Sequence, residues 1–151
     1  MGGTARARVF AKALNAEVVI CDKQRKRANE IESMSVIGDV KGKDIVLVDD
    51  ICDTAGTLTK AAALLIEKGA NSVRAVCTHG VLSGKAYENI ENSVLEELII
   101  CDTIPLKRAS DKIRVLSVAD LFSKAIANVY EHGSISDLFR MGDGVQATVK
   151  F

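Results

Sequence analysis

Tryptophan is absent from the chain, proline occurs once, at Pro105, and aromatic residues make up only 4%. A protein so poor in rings has little with which to stack exposed bases, which argues against a platform for single-stranded nucleic acid. An excess of one charge is also missing, because 20 Lys and Arg balance 20 Asp and Glu. Wholesale binding of nucleic acid or another polyanion is therefore not expected, although a local basic patch is compatible with this balance. No apolar run is long enough to span a bilayer and the N-terminus has no signal-peptide core, so no membrane partner is expected. The four cysteines, Cys21, Cys52, Cys77 and Cys101, form no C-x-x-C pair, and only two histidines could assist them, which argues against a zinc site. Most of these cysteines sit in apolar runs, where a free thiol behaves as a small hydrophobe. Their pattern suits a reducing, cytoplasmic compartment.

What is present is an ordinary globular composition, 48% hydrophobic and 26% charged over 151 residues, enough for one domain with a core. Strand-like and helix-like segments alternate. "EVVICD" (17–22), "DIVLVDD" (44–50), "SVRAVCTH" (72–79), "LEELIICD" (95–102) and "KIRVLSV" (112–118) predict strands. "TARARVFAKALN" (4–15), with Thr4 as N-cap, predicts a helix. So do "TLTKAAALLIEKG" (57–69), closed by Gly69, and the weaker "SGKAYENIENS" (83–93). The strongest helical stripe is Leu121, Phe122, Ala125, Ile126, Val129 and Tyr130 in 117–133, with His132 at the negative end and Gly133 closing it. Continuous apolar strands alternating with helices imply an α/β fold with a parallel sheet covered on both faces, a three-layer sandwich. Ligands of such sheets bind outside the carboxyl ends of the strands.

One such end is "VLVDDICDTAGT" (46–57). If Thr57 opens the following helix, loop 53–57 lies over a helix N-terminus, where free N–H groups and the dipole favour an anion. Ala55 and Gly56 permit close approach, and Thr54 and Thr57 add hydroxyls. Asp49 and Asp50 would repel phosphate, but they suit a ligand that carries phosphate at one end and hydroxyls or a hydrated Mg²⁺ at the other. A sugar phosphate meets both demands. The competing reading is structural: Asp50 or Asp53 caps the helix and Asp49 is solvated. Upstream, Lys23, Arg25, Lys26 and Arg27 crowd into a polar segment, 21–45, that shows no periodicity and reads as a mobile loop. It is either a solvated charge run or a cationic flap that closes over phosphates.

"VLVDDICDTAGT" resembles the phosphoribosyl-binding loop of type I phosphoribosyltransferases and phosphoribosyl pyrophosphate synthetases. "DKQRKRANEIE" followed by "GDVKGKDIVLVDD" resembles the catalytic loop of the synthetases, the ribose-phosphate pyrophosphokinases. "GGTARAR" (2–8), "CTHGVLSG" (77–84), "NSVLEELIICDTIPL" (92–106) and "SISDLF" (134–139) are similar to further segments of that family. The resemblance implies a type I phosphoribosyltransferase-like fold over 1–139, followed by a tail, 140–151. It implies that Asp49 and Asp50 meet the ribose of ribose 5-phosphate and that Asp53, Thr54, Ala55, Gly56 and Thr57 cradle its phosphate. It makes Lys23 and Arg25 the catalytic cations, with Arg27, Asn29 and Glu32 in the same loop. Ser134, Ser136 and Phe139 would belong to a regulatory phosphate site between subunits, unless the serines merely cap a terminal packing segment. His79, alone at a strand end, reads as structural.

The implied reaction moves pyrophosphate from ATP, with Mg²⁺, onto ribose 5-phosphate in a homo-oligomeric enzyme. The resemblance covers only the C-terminal half of the family's chain, and Met1 stands where relatives carry a metal-binding Asp. The isolated chain is thus expected to bind the sugar phosphate weakly and to make little or no product. Two other readings are a phosphoribosyltransferase, which would need a base-selecting hood not found here, and a non-catalytic regulatory subunit, against which the retention of Lys23 and Arg25 argues.

Overall fold

A computed structural model describes residues 2–24 and 33–139. The elements run α1 (Gly2–Leu14), β1 (Ile20–Gln24), β2 (Ser33–Ile37), β3 (Asp44–Cys52), α2 (Gly56–Glu67), β4 (Ser72–Gly80), α3 (Ala86–Glu91), β5 (Glu97–Cys101), β6 (Ile113–Leu116) and α4 (Ala119–Tyr130), then a 3-10 turn at Ser136–Phe139. Strands β3 to β6 lie side by side in chain order and are all parallel. β1 and β2 form a separate antiparallel pair.

Parallel crossovers are right-handed, and here each one steps the same way along the sheet. Helices α2 and α3, which link β3 to β4 and β4 to β5, must then fall on one face. The burial agrees. Ala61, Ala62 and Leu65 of α2 and Ala86, Tyr87 and Ile90 of α3 are buried with Val73, Ala75, Cys77, Leu98, Ile100 and Ile113 of the sheet. Val76 of β4 and Ile99 of β5, which point the other way, stay half-buried. The parallel sheet with flanking helices is as expected, but its two faces are covered unequally. Helix α1 packs on β3 and buries none of its described side chains.

Several local expectations shift. Helix α1 already begins at Gly2, so Thr4 lies inside it and is not its N-cap. The first strand starts at Ile20, later than the expected Glu17, and runs to Gln24. Segment 21–45, read as a loop, contains β2, whose Met34 and Val36 pair with Lys23 and Cys21. Its short alternation of serine with apolar residues gains backbone partners only when the hairpin closes.

Helices α2 and α4 end alike. After α2, Gly69 has φ 94° and donates to the Ile66 carbonyl at 2.9 Å, while Ala70 donates to that of Leu65 at 3.0 Å. After α4 the left-handed residue is His132, φ 55°, not Gly133. There Gly133 supplies the outer bond instead, 2.7 Å to Asn128. The apolar stripe of α4 occupies one face as expected, but none of the helix is buried, and Ile126 is 68% and Tyr130 85% exposed. The tail 140–151 lies outside the described residues.

The unequal burial makes a testable contrast. Leu98→Ala, at a fully buried position, should cost about 2–5 kcal/mol in urea unfolding. Ile126→Ala should cost about 0.5 kcal/mol or less. Equal losses would show that α4 is packed against something the burial pattern does not contain.

Candidate functional site

The carboxyl ends of β3, β4 and β5 converge. Asp49 pairs in register with Cys77, Ile51 with His79 and Cys52 with Gly80. Each acid turns its carboxylate back on the chain: Asp50 N–H donates to Asp49 Oδ1 at 2.9 Å, and Ile51 N–H to Asp50 Oδ1 at 3.0 Å. From α1, Arg6 Nη2 reaches Asp50 Oδ2 at 3.3 Å. Both acids are nonetheless exposed, and each carboxylate oxygen has more than one lone pair with which to accept.

The two carboxyls are not equivalent. Loss of hydration at the strand end, reinforced by the neighbouring Asp50, raises Asp49 above the ordinary Asp value. A hydrogen bond with Asp49 chiefly holds Asp50 below it, with help from backbone N–H and from Arg6. Cys52 and Cys77 are both buried, and the neighbouring Cys52 thiol together with burial raises Cys77 well above the ordinary thiol value, which keeps it protonated. A protonated, buried thiol is a core group and not a metal ligand. Among the described residues, no three His, Cys, Asp or Glu gather to hold a metal ion.

Past Cys52 the loop is fastened at successive points. Leu82 N–H donates to the Cys52 carbonyl at 3.1 Å and Ser83 N–H to that of Asp53 at 3.0 Å. The Ser83 hydroxyl donates to the Asp53 carboxylate. The Asn89 amide donates to the Thr54 carbonyl at 2.9 Å. The chain then turns through Ala55, buried and left-handed at φ 60°, ψ 0°. This conformation is rare for a residue with a Cβ and persists only where the surroundings enforce it. The Ala55 carbonyl accepts Thr59 N–H at 2.9 Å and the Thr59 hydroxyl at 3.0 Å.

Helix α2 starts at Gly56, one residue before the expected Thr57, and no side chain caps it. The capping alternative for Asp50 and Asp53 therefore fails: Asp53 is taken by Ser83, and Asp50 by Ile51 and Arg6. The first-turn N–H groups have no intrahelical acceptors, and the positive end of the dipole lies among them. One unbroken stretch, 49–57, thus sets two carboxylates beside an anion-accepting helix start.

A family model, the phosphoribosyl synthetase-associated domain, matches residues 3–140. The chain belongs to this family. It is 58% identical over 139 residues to a ribose-phosphate pyrophosphokinase of Campylobacter jejuni, covering 92% of this chain and 45% of the relative. A ribose-phosphate pyrophosphokinase of Wolinella succinogenes is 55% identical, with the same coverage of 92% and 45%. The crystal structure of phosphoribosylpyrophosphate synthetase from Mycobacterium smegmatis superposes with a TM-score of 0.75 at 35% identity, over 86% of this chain and 43% of that one. The chain spans somewhat less than half the length of these relatives.

In this synthetase-associated domain the remaining described candidates lie on other elements. Lys23 lies on β1, its backbone opposite Met34. Arg25, Arg27, Asn29 and Glu32 lie outside the described residues. Ser134 and Ser136 are exposed beyond α4, and Phe139 ends the 3-10 turn. Ser134 Oγ accepts Ser136 N–H at 3.1 Å, and its carbonyl accepts the Asn128 amide at 2.9 Å. His79 Nδ1 lies 2.8 Å from Thr103 Oγ1, which itself donates to the Thr78 carbonyl at 3.2 Å. This is a structural tie between β4 and the end of β5.

Sequence reasoning missed Arg6, Ser83 and Asn89. Arg6 and Ser83 stand inside the stretches "GGTARAR" and "CTHGVLSG", but nothing local marks their partners. Asn89 carries no signal in its own neighbourhood, because its acceptor is 35 residues away.

Carboxyl-carbon NMR should show Asp50 titrating below the ordinary Asp value and Asp49 above it. The stability that Asp50 contributes is present above its unfolded value and is lost as pH falls through its lowered folded value. Asp49 acts with the opposite sign: folding loses its help as pH rises through its raised value. Coincident titration of the two acids would contradict this arrangement.

Proposed function

We propose that this chain is the ribose-phosphate-binding part of a ribose-phosphate pyrophosphokinase, as the resemblance and the names of its relatives suggest. The observation that supports this most is the continuous 49–57 stretch, with two open carboxylates at one end and an uncapped helix start at the other. Asp49 and Asp50 accept hydrogen bonds from the ribose hydroxyls. Asp53, Thr54, Ala55, Gly56 and Thr57 enclose the 5-phosphate, with the Gly56 and Thr57 N–H groups and both threonine hydroxyls as donors. Buttressing by Ser83 and Asn89 keeps these donors aimed before the ligand arrives, so little reorganisation is needed on binding.

The reaction joins the sugar's 1-hydroxyl oxygen to the β-phosphorus of ATP, breaks the bond from that phosphorus to the α-phosphate oxygen, and releases AMP. Lys23 and Arg25 neutralise the charge that builds on the pyrophosphoryl group, since such transfers depend mainly on positioning and electrostatics. Arg27, Asn29 and Glu32 belong to the same flap. Mg²⁺, when bound, would supply positive charge against the nucleotide phosphates, and we assign it no ligand on this chain. Ser134, Ser136 and Phe139 remain the proposed regulatory phosphate site of the assembled, homo-oligomeric enzyme, and the compartment is cytoplasmic. Domain 1–139 carries these roles and 140–151 is a tail.

Calorimetric titration of the chain with ribose 5-phosphate tests the pocket. Asp50→Ala should weaken binding about tenfold or more, the worth of a charge-assisted hydrogen bond. Equal affinity would remove Asp50 from the site. With ATP, Mg²⁺ and ribose 5-phosphate, this chain alone should form little or no phosphoribosyl pyrophosphate, and rapid turnover would show that its own residues suffice.

A further inference from the structure

The contact between Arg6 and Asp50 joins the second turn of α1 to the end of β3, 44 residues apart in the chain. Both side chains are substantially open to water, 36% and 55% exposed, and an ion pair so placed adds little to folding. Its position is more telling than its strength. Two neighbouring carboxylates repel each other, and the outer one, Asp50, has no wall of packed side chains to hold it. Its Oδ1 is occupied by Ile51 N–H and its Oδ2 by Arg6, so the carboxylate is fixed from two sides. The guanidinium also places one permanent positive charge against the pair's negative charges.

We propose that Arg6 is a positioning residue for the sugar end of the site: it fixes the Asp50 carboxylate beside Asp49 and offsets their charge, so that both remain oriented acceptors for vicinal hydroxyls. This rests on the ribose-phosphate reading given above and adds to it a residue outside the 49–57 stretch. It also assigns a task to α1, which otherwise buries none of its described side chains. The helix carries Arg6 to the strand end. Because the contact is made to the acid pair and not to the 53–57 loop, Arg6 serves the hydroxyl half of the ligand and leaves the phosphate half to the α2 N-terminus.

The test compares two ligands on the whole chain at about 0.15 M salt, where long-range charge effects are screened beyond about 8 Å. Arg6→Gln should weaken ribose 5-phosphate binding about tenfold, yet change the affinity for inorganic phosphate less than about twofold. Its melting temperature should stay near that of the unaltered chain. Arg6→Lys should recover most of the lost affinity, since the charge returns. Three results overturn the proposal: unchanged ribose 5-phosphate affinity in Arg6→Gln, a parallel loss for both ligands, or no recovery in Arg6→Lys. Failure of the unaltered chain to bind ribose 5-phosphate would overturn the ribose-phosphate reading itself, and this inference with it.

Discussion

The handedness of the crossovers is the constraint on which the molecule depends. A parallel strand can be followed by its neighbour only through a connection that climbs back over the sheet, and that climb is right-handed. With β3 to β6 taken in order, every step goes the same way. Helices α2 and α3 collect on one face, the core forms beneath them, and each strand releases its chain at the same edge. The loops after Cys52 and Gly80 are neighbours for this reason, and the candidate site lies where they meet. The site's location therefore follows from topology, before any side chain is considered.

Chemistry at that edge is made by opposing demands held in a short span. A left-handed Ala55 is costly, an uncapped helix start leaves donors unsatisfied, and adjacent carboxylates repel. Each would be a defect in a purely structural segment. Together they set acceptors at one end of a single stretch and donors at the other, and neighbouring segments keep it in place. The 82–89 segment ties the loop through Leu82, Ser83 and Asn89, and α1 ties the acid pair through Arg6. Leu82 is itself left-handed, φ 47°, and buried, so the supporting segment is strained where it touches the loop. Local cost at a ligand site, sustained by packing elsewhere, is the pattern expected of a binding loop formed in advance.

The unequal sheet also explains which elements are weakly anchored. Everything on the α2 and α3 face shares one core, whereas α1 and α4 bury no described side chain. The chain covers less than half the length of its relatives, and its bare elements are those outside the shared core.

The strands β3 to β6, the helix ahead of Gly69 and the acid pair before a helix start in 46–57 were legible in the residues alone. Each is local: an apolar run, a 3.6-residue stripe, a left-handed glycine, two acids before a small hydroxyl-rich turn. The α/β class followed from their alternation. Features that depend on a partner were not legible. Strand β2 exists only through β1, the left-handed turn after α4 falls on His132 because the bond geometry places it there, and the stripe of α4 says nothing about whether anything covers it. Whether Asp53 caps a helix or receives Ser83 is likewise decided across 30 residues. Periodicity and turn chemistry are written in neighbouring residues, so the sequence by itself determined most of the elements and the acid pair that precedes the small turn. Hydrogen bonds and charges between distant segments are not written there, and only the tertiary structure decided that Arg6 meets Asp50 and that Ser83 and Asn89 bond to the 53–54 turn.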